Sequence, residues 1–186
     1  MSGTVAVVVL AAGAGTRFAG VTHKLRAEID GTAVVRHSID AAVASGVGPV
    51  LVVTGAEPLE DLLPPTVTEV RAAEWSAGQS HSLAAAVAAL DSTHVDAMVV
   101  GLADMPGVTA ACWQTVAVTP GQIVVATYDG HRRPPVKLAR SVWGELPDSG
   151  DEGARSLMRR RADLVTEVAV AGDGRDVDTV DDLRSL

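Results

Sequence analysis

Residues 5–25 begin with an uninterrupted apolar run and continue into a glycine-rich loop that carries two cations. The segment reads VAVVVLAAGAGTRFAGVTHKL and contains Arg17 and Lys24. Consecutive apolar, mostly β-branched residues over 5–10 predict a strand that is covered on both faces. A loop of small residues behind such a strand lets backbone amides face an anion, since glycine has no Cβ to keep a phosphate away. Arg17 could then neutralise phosphate charge as a planar fork and Lys24 as a point charge.

Two well-known phosphate motifs do not match this loop. The sequence has no GxxxxGK[ST] string, and Phe18 stands where a GxGxxG dinucleotide fingerprint has its third glycine. Cations inside the loop also suit a triphosphate better than a dinucleotide. On loop composition alone, an ordinary strand-to-helix turn with two solvated cations is the alternative.

The composition limits the class of protein. A chain of 186 residues, 47% of them hydrophobic, is long enough for one domain, here residues 1–186, with a sizeable core. The formal net charge of -8 disfavours nucleic-acid binding through a broad basic face. The short basic run at residues 159–161 is more typical of a solvated surface than of a binding patch.

The sequence also indicates where such a protein would work. Its lone cysteine, Cys112, permits no internal disulfide. No apolar segment reaches the roughly 20 residues that span a bilayer, and residues 1–4 lack a basic leader. We therefore expect a cytoplasmic protein.

Predicted strands and helices alternate over the first two thirds of the chain, which favours an α/β fold with a mainly parallel sheet between helices. Ligands of such sheets bind beyond the carboxyl ends of the strands, so the glycine-rich loop and Asp104 should share one rim. The predicted strands cover residues 5–10, 50–54, 67–70, 97–102, 123–127 and 164–170. The predicted helices cover residues 33–45, 57–63, 83–90, 110–116, 142–146, 153–161 and 180–186, with Ser80 or Ser82 as the cap of the third.

Carboxylates near the ends of predicted elements are candidate metal ligands. Asp104 follows the strand over 97–102, where a carboxylate beside a phosphate loop can hold Mg²⁺. As an alternative, Asp104 forms a turn or caps the next helix. Asp176 and Asp178 precede the last predicted helix, which either could cap, and with Asp104 they would make a metal set. No HxxxH or CxxC spacing indicates zinc.

Two polar segments that lead into helices are further candidates for binding. Residues 76–82, SAGQSHS, offer amides and hydroxyls to a base, ribose or phosphate, with an N-cap loop as the alternative. Residues 150–155, GDEGAR, place two acids and an arginine at a helix start, where capping alone accounts for much of the pattern. His23 and His131 lie in polar loops and are candidate ligand contacts.

Several motifs taken together resemble one enzyme family. LAAGAGTRFAGVTHKL at residues 10–25 is similar to the LAAGxSxRxGxxKLL signature of the nucleotidyltransferases that include molybdenum-cofactor cytidylyltransferase and the molybdopterin guanylyltransferases. WSAGQSHSL, GLADMPGV, GDEGAR and DVDTVDDL are similar to later motifs of that family, in its order, over nearly the whole chain. GDEGAR points more narrowly to the cytidylyltransferase. The resemblance implies a Rossmann-like, three-layer fold with a mainly parallel, mixed sheet.

The resemblance also implies roles for individual residues. Arg17, Lys24 and Asp104 would be catalytic. Asp104 and Asp178, with Asp176 less closely matched, would hold Mg²⁺. The acceptor would lie against residues 132–135 and 151–155, with these contacts: Pro135, Asp151, Gly153 and Arg155. The nucleotide would be held by the opening loop and the 76–82 segment: Leu10, Ala11, Ala12, Gly13, Gly15, Thr16, Arg17, Lys24, Gly78 and Ser82.

The implied reaction moves a nucleotidyl group from an NTP to the phosphate of a molybdopterin-type acceptor and releases pyrophosphate. LAAG, where guanylyltransferases usually read LAGG, favours CTP over GTP, and the resemblance allows a molybdoenzyme as partner. Two departures stand out: FAGVTH lengthens the loop before Lys24, and RPPVKL replaces the family's GHPVLF, which is expected to put Lys137 on the acceptor side. The alternatives are a non-catalytic nucleotide or pterin-cofactor carrier, and transfer to a sugar phosphate or another phosphorylated metabolite.

Overall fold

A seven-stranded sheet organises the computed structural model, which describes residues 3–20 and 22–185. Its strand order is β5-β4-β1-β6-β8-β7-β9, and a short hairpin of β2 and β3 stands apart from it. The strands are β1 (Val5–Ala11), β2 (Glu28–Ile29), β3 (Thr32–Ala33), β4 (Val50–Thr54), β5 (Thr68–Arg71), β6 (Ala97–Leu102), β7 (Ile123–Tyr128), β8 (His131–Ala139) and β9 (Val165–Ala169).

Five α-helices and four 3-10 turns connect the strands within these residues. The α-helices are α1 (Val34–Ala44), α2 (Gln79–Asp91), α3 (Ala110–Val118), α4 (Ala154–Arg160) and α5 (Val180–Arg184). The 3-10 turns are Glu60–Leu62, Trp75–Ala77, Arg140–Glu145 and Ala162–Leu164. The predicted helices over 57–63 and 142–146 are therefore 3-10 turns. None of the helices in this part of the chain combines the length and apolar character needed to cross a membrane.

The predicted α/β architecture with a mainly parallel, mixed sheet is confirmed. β1 pairs in parallel with β4 and β6, β4 with β5, and β7 with β9, whereas β8 runs antiparallel to both of its neighbours. Alternate residues of β1 face opposite layers: Val8 packs with α2 and α4, and Val9 packs with α1 and α3. The sheet therefore lies between two helical layers, each with its own apolar core.

Strand β8 was missed by the sequence analysis because its sequence, HRRPPVKLA, begins with basic residues and contains two prolines. Proline cannot donate a hydrogen bond to a ladder and argues against an internal strand. In the structure, Pro134 and Pro135 fall where the register with β7 shifts: Val125 is opposite Val136, and Ala126 is opposite Arg133. Pairing with β6 begins only at Val136, so the prolines occupy an irregularity that requires no ladder donor.

The caps of the helices also differ from several expectations. Helix α2 begins at Gln79 with Gly78 as its N-cap, and Ser80 and Ser82 are buried in its first turn, so the predicted serine cap is wrong. Helix α4 has Gly153 as its N-cap, without a side-chain cap from the neighbouring acids.

Threonines cap α3 and α5, the two helices for which the sequence also allowed an aspartate as the cap. Thr109 caps α3 and accepts from the amide of Cys112, while Thr179 and Asp182 form a capping box at α5. Asp104 and Asp178 are therefore not used as helix caps, and their carboxylates are available for other contacts.

Candidate active site

The glycine-rich loop leaves the carboxyl end of β1 at the centre of the sheet. Ala12 is tied to the neighbouring strand end because its carbonyl accepts from the amide of Ala56 at 3.1 Å. Gly15 has a φ of +62°, a conformation that glycine adopts without a Cβ penalty, and its carbonyl accepts from the amide of Phe18 at 3.0 Å. At Gly13 a Cβ would meet no atom within 4 Å, so this side of the loop is open.

A cavity of about 510 Å³ opens above this loop, and we call it the loop cavity. Its lining includes every residue that the resemblance assigned to the nucleotide, from Leu10 to Ser82. Asp104 and Asp178 line it as well. The remaining lining residues were not assigned to the nucleotide from the sequence: Ala14, Leu25, Trp75, Ser76, Gln79, Leu102 and Asp151, the last of which was assigned to the acceptor. Of these, Trp75 opens the WSAGQSHSL motif, and its aromatic side chain was the signal that could have identified it.

The ammonium of Lys24 lies between two carboxylates at one wall of the loop cavity. Its Nζ donates to Asp104 Oδ2 at 2.5 Å and to Asp178 Oδ1 at 3.2 Å. The other oxygen of Asp178, Oδ2, lies 2.9 Å from Nη1 of Arg17. The side chains of Lys24 and Asp104 are only 11% and 17% exposed, so this ion pair is largely removed from water.

Burial is the largest influence on the pKa of both members of this pair. It raises the pKa of the Asp104 carboxyl, against the charge of Lys24. Burial alone would lower the pKa of the Lys24 ammonium, but the charges of Asp104 and Asp178 and the hydrogen bonds to them outweigh burial and raise it. Lys24 therefore stays charged at neutral pH and supplies a fixed positive charge beside the loop.

The residues at this wall fit a divalent cation. Carboxylate oxygens are the ligands that Mg²⁺ and similar hard cations prefer, usually one or two carboxylates completed by substrate phosphates and water. Asp104 Oδ1 is buried and has no hydrogen-bond partner in residues 3–20 and 22–185. The same ranges contain no cluster of three or more His, Cys, Asp or Glu side chains suited to a metal, so a cation here would depend on two carboxylates and a phosphate.

A second cavity of about 480 Å³ adjoins the loop cavity, and we call it the arginine cavity. Arginines and carboxylates line its rim, and apolar side chains line its floor. The rim arginines are Arg17, Arg132, Arg133, Arg155 and Arg159, and the floor includes Leu83, Val100, Val125, Val136 and Met158. Arg17, Asp104 and Asp178 line both cavities, so the two spaces meet at the ion-paired wall.

Of the residues assigned to the acceptor, three line the arginine cavity and one does not. Asp151, Gly153 and Arg155 line it, together with Asp176, whose carboxylate lies 3.7 Å from Arg133. Pro135 is buried and is not part of the lining, whereas its neighbours Pro134 and Val136 are. Successive side chains of a strand point to opposite faces, which explains why Pro134 and Val136 line the cavity and Pro135 does not.

Lys137 is not on the acceptor side, contrary to the expectation from the sequence. Its ammonium donates to the carbonyl of Ala117 at 3.3 Å and to that of Thr119, at the C-terminal end of α3. A cation is favourable at this end of a helix because the last carbonyls carry partial negative charge. Burial lowers the pKa of Lys137. Its role is to satisfy helix carbonyls on the opposite face of the sheet.

Neither candidate histidine lines the loop cavity or the arginine cavity. His131 is exposed at the start of β8, opposite Tyr128. His23 accepts from the amide of Leu25 through Nδ1, and its buried Nε2 lies against Gly15, where a Cβ would come within 2.9 Å of it. His23 therefore packs against the glycine-rich loop.

The basic run at residues 159–161 is partly a cavity wall. Arg159 borders the arginine cavity and pairs with Glu152, whereas Arg161 pairs with Glu145 on the surface. Arg159 is 63% exposed, in agreement with the expectation of a solvated face, and its position on α4 also places it at the cavity rim.

Replacing Gly78 by alanine should destabilise the protein by about 1–3 kcal/mol. Gly78 has a φ of +120°, and a Cβ there would lie 2.7 Å from the carbonyl oxygen of Gly150 and 2.8 Å from Oδ1 of Asp151. The free energy of unfolding in urea measures the effect. The matched control is Gly144→Ala, where a Cβ would meet no atom within 4 Å, with an expected change within about 0.5 kcal/mol. Equal stability of both variants would show that the 150–151 loop moves aside at little cost.

A glycine-rich loop, a largely buried lysine and two carboxylates lie together at the carboxyl edge of a mainly parallel sheet. Taken with the family match that follows, this arrangement places the protein among the nucleotidyltransferases. Residues 7–165 match the MobA-like NTP transferase domain. The chain therefore belongs to the MobA-like NTP transferase family, as the resemblance of its motifs indicated.

Similar proteins cover nearly the whole chain. The purine catabolism protein PucB of Bacillus subtilis (strain 168) is 29% identical over 187 residues, which covers 92% of this chain and 90% of PucB. The crystal structure of Rv0371c from Mycobacterium tuberculosis H37Rv is 28% identical with a TM-score of 0.83 and covers 100% of this chain and 98% of its own. The nucleotidyl transferase Mth528 from Methanothermobacter, 21% identical with a TM-score of 0.82 over 98% of this chain and 95% of its own, shares the fold.

A further structure of Rv0371c bears on the metal. It is a complex with manganese, 27% identical to this chain with a TM-score of 0.80, and it covers 98% of this chain and 97% of its own. Nucleotidyltransferases of this family commonly use divalent metals.

Proposed function

We propose that this nucleotidyltransferase moves CMP from CTP to a phosphate of a molybdopterin-type acceptor, with Mg²⁺ as the metal and with release of pyrophosphate. The observation that carries the proposal is the junction of the two cavities at Arg17, Asp104 and Asp178. A nucleotide in the loop cavity and an acceptor in the arginine cavity would bring their phosphates together at these three side chains.

The lining of the loop cavity supports a nucleotide. Trp75 offers an aromatic surface to a base, and Gln79 and Ser82 of the same segment offer polar atoms. Backbone amides of residues 12–17 and the charges of Arg17 and Lys24 suit a triphosphate. The LAAG sequence at residues 10–13, typical of the cytidylyltransferases that this chain resembles, supports CTP over GTP.

The lining of the arginine cavity supports an acceptor that combines a ring system with an anionic group. Its apolar floor, which includes Leu83, Val136 and Met158, suits the face of a flat ring. Arg132, Arg133 and Arg155 at the rim suit a phosphate, because a guanidinium can bind two of its oxygens at once. A phosphorylated pterin has both parts.

The proposed mechanism is an in-line displacement at phosphorus. An oxygen of the acceptor phosphate forms a bond to the α-phosphorus of CTP, and the bond from that phosphorus to the bridging oxygen of the β-phosphate breaks, so that pyrophosphate leaves. The protein holds two anions together and neutralises the charge on their oxygens, through the loop amides, Arg17 and Lys24. No general base is needed, because an acceptor phosphate is already ionised at neutral pH. Mg²⁺ held by Asp104 and Asp178 would further screen the phosphate charge.

A thermal-shift panel of ATP, CTP, GTP and UTP, each with and without Mg²⁺, tests the nucleotide. CTP at about 100 times its dissociation constant should raise the unfolding midpoint by about 5 °C or more, in a magnesium-dependent way. Lys24→Ala should lose this shift. Lys137→Met, which removes a buried lysine that lines neither cavity, should keep it.

Pyrophosphate release from CTP with molybdopterin as acceptor then tests the reaction. Release that depends on both substrates is the expected result. A shift with GTP alone would redirect the nucleotide assignment to guanylyl transfer. CTP binding without pyrophosphate release would favour the non-catalytic carrier.

A further inference from the structure

Protein cations already contact most of the carboxylate oxygens that a metal would use. Lys24 donates to Oδ2 of Asp104 and to Oδ1 of Asp178, and Arg17 pairs with Oδ2 of Asp178. The remaining oxygen, Oδ1 of Asp104, is buried. A divalent ion that bound both aspartates through the oxygens facing each other, Oδ2 of Asp104 and Oδ1 of Asp178, would have to displace the ammonium of Lys24.

We propose that Lys24 acts as an internal counter-cation that excludes the divalent metal from the nucleotide-free protein and yields the two carboxylates only when phosphates arrive. This inference rests on the metal site of the proposed function. It adds that the metal binds there only together with the nucleotide. The triphosphate would attract the ammonium, and the metal would enter together with the nucleotide. The protein would thereby avoid a tightly held metal in its resting state.

The geometry allows Lys24 to serve both positions. Its stem passes beside the glycine-rich loop: a Cβ at Gly15 would lie 3.2 Å from Lys24 Cγ. A lysine carries a compact charge on a flexible four-carbon stem, so its tip can turn from the carboxylates to a phosphate on the loop without a change of the backbone. Asp104 and Asp178 gain a replacement charge from the metal at the same time.

Charge balance supports the replacement of the Lys24 ammonium by a metal ion. Two carboxylates that share a partly buried wall repel each other unless a cation lies between them. Lys24 provides that cation in the structure, with Arg17 at the outer oxygen of Asp178. Removal of the Lys24 charge should leave a vacant, negatively charged site that binds a divalent ion more tightly than the native protein does.

Binding of Mn²⁺ to the nucleotide-free protein, measured by the electron paramagnetic resonance signal of free Mn²⁺, tests the inference. Lys24→Met should bind Mn²⁺ at least about tenfold more tightly than the native protein, because no ammonium has to be displaced. Lys137→Met is the matched control: it removes the other largely buried lysine and should leave Mn²⁺ affinity unchanged. The double variant Lys24→Met, Asp104→Asn should lose the increase in Mn²⁺ affinity that Lys24→Met shows.

A second readout does not depend on the affinity measurement. Saturating Mn²⁺ should raise the unfolding midpoint of Lys24→Met more than that of the native protein, since the metal replaces the missing charge. Lys24→Gln, which keeps a polar tip without the charge, should behave like Lys24→Met and guards against a folding defect of one variant. Mn²⁺ affinity in both variants equal to or weaker than native affinity would overturn the proposal.

The same measurements distinguish a failure of the counter-cation role from a failure of the proposed metal site. Native protein with CTP should bind more Mn²⁺ than CTP alone binds, in a manner that depends on Asp104. If it does so while neither Lys24 variant gains affinity, the metal site stands and the counter-cation role is wrong. If Mn²⁺ binds to no variant, with or without CTP, both the metal site and the counter-cation role fail.

Discussion

Replacing Asp104 by asparagine should lower the rate of nucleotidyl transfer by at least about 10²-fold, equivalent to about 2.7 kcal/mol of transition-state stabilisation. Asn has nearly the same shape, so the variant removes the negative charge while it keeps the packing. Asp104 contacts Lys24 at 2.5 Å and lines both cavities. Loss of its charge would weaken the hold on the metal and leave Lys24 paired with Asp178 alone.

The kinetic constants of pyrophosphate release measure this effect, with Asp176→Asn as the matched control. Asp176 lies two positions before Asp178, is about half exposed, and lines the arginine cavity without lining the loop cavity. Its replacement should change mainly the KM for the acceptor. If Asp104→Asn retained near-native turnover, the assignment of Asp104 to the metal would be wrong.

Truncation of Trp113 to alanine should destabilise the protein by about 3–5 kcal/mol, a large part of the 5–15 kcal/mol typical of a folded domain. Trp113 on α3 is 1% exposed and packs on the middle of the sheet. The contact is close: a Cβ on Gly101 of β6 would lie 2.3 Å from Cη2 of Trp113. No smaller side chain at 113 fills this space, so alanine would leave a cavity between α3 and the sheet.

Urea unfolding followed by far-UV circular dichroism measures the loss, since this signal does not depend on the tryptophan removed. Val118→Ala on the same helix is the control: Val118 is 78% exposed, and its truncation should change stability by less than about 0.5 kcal/mol. Trp113→Phe should cost less than Trp113→Ala, because it keeps a ring and removes an indole N–H that is buried without a partner in the described residues. A loss below about 1 kcal/mol for Trp113→Ala would mean that the two layers close over the gap.

Local patterns in the sequence were sufficient to predict much of the fold. The apolar run at residues 5–10 and the alternation of strands with helices led to a mainly parallel α/β sheet, which the structure confirms. Local patterns failed at β8, where Pro134 and Pro135 interrupt the strand signal. An irregular register with β7 accommodates these prolines, and no property of the segment alone indicates that register.

The face on which a side chain lies was harder to predict than the element that carries it. Pro135 and Lys137 were expected at the acceptor, but both lie away from the arginine cavity, whereas Pro134 and Val136 line it. A shift by one residue along a strand exchanges its two faces. The position of Lys137 under the C-terminal end of α3 depends on packing between elements that are distant in sequence.

The sequence by itself determined the glycine-rich loop, its two cations and the acidic residues at strand and helix ends, because each depends on residue type and short spacing. Only the tertiary structure decided that Lys24 lies between Asp104, 80 residues away, and Asp178, 154 residues away. Those contacts require the order of the strands in the sheet and the return of the C-terminal segment to its carboxyl edge. A local pattern cannot encode them, since side chains so far apart meet only after the whole sheet has formed.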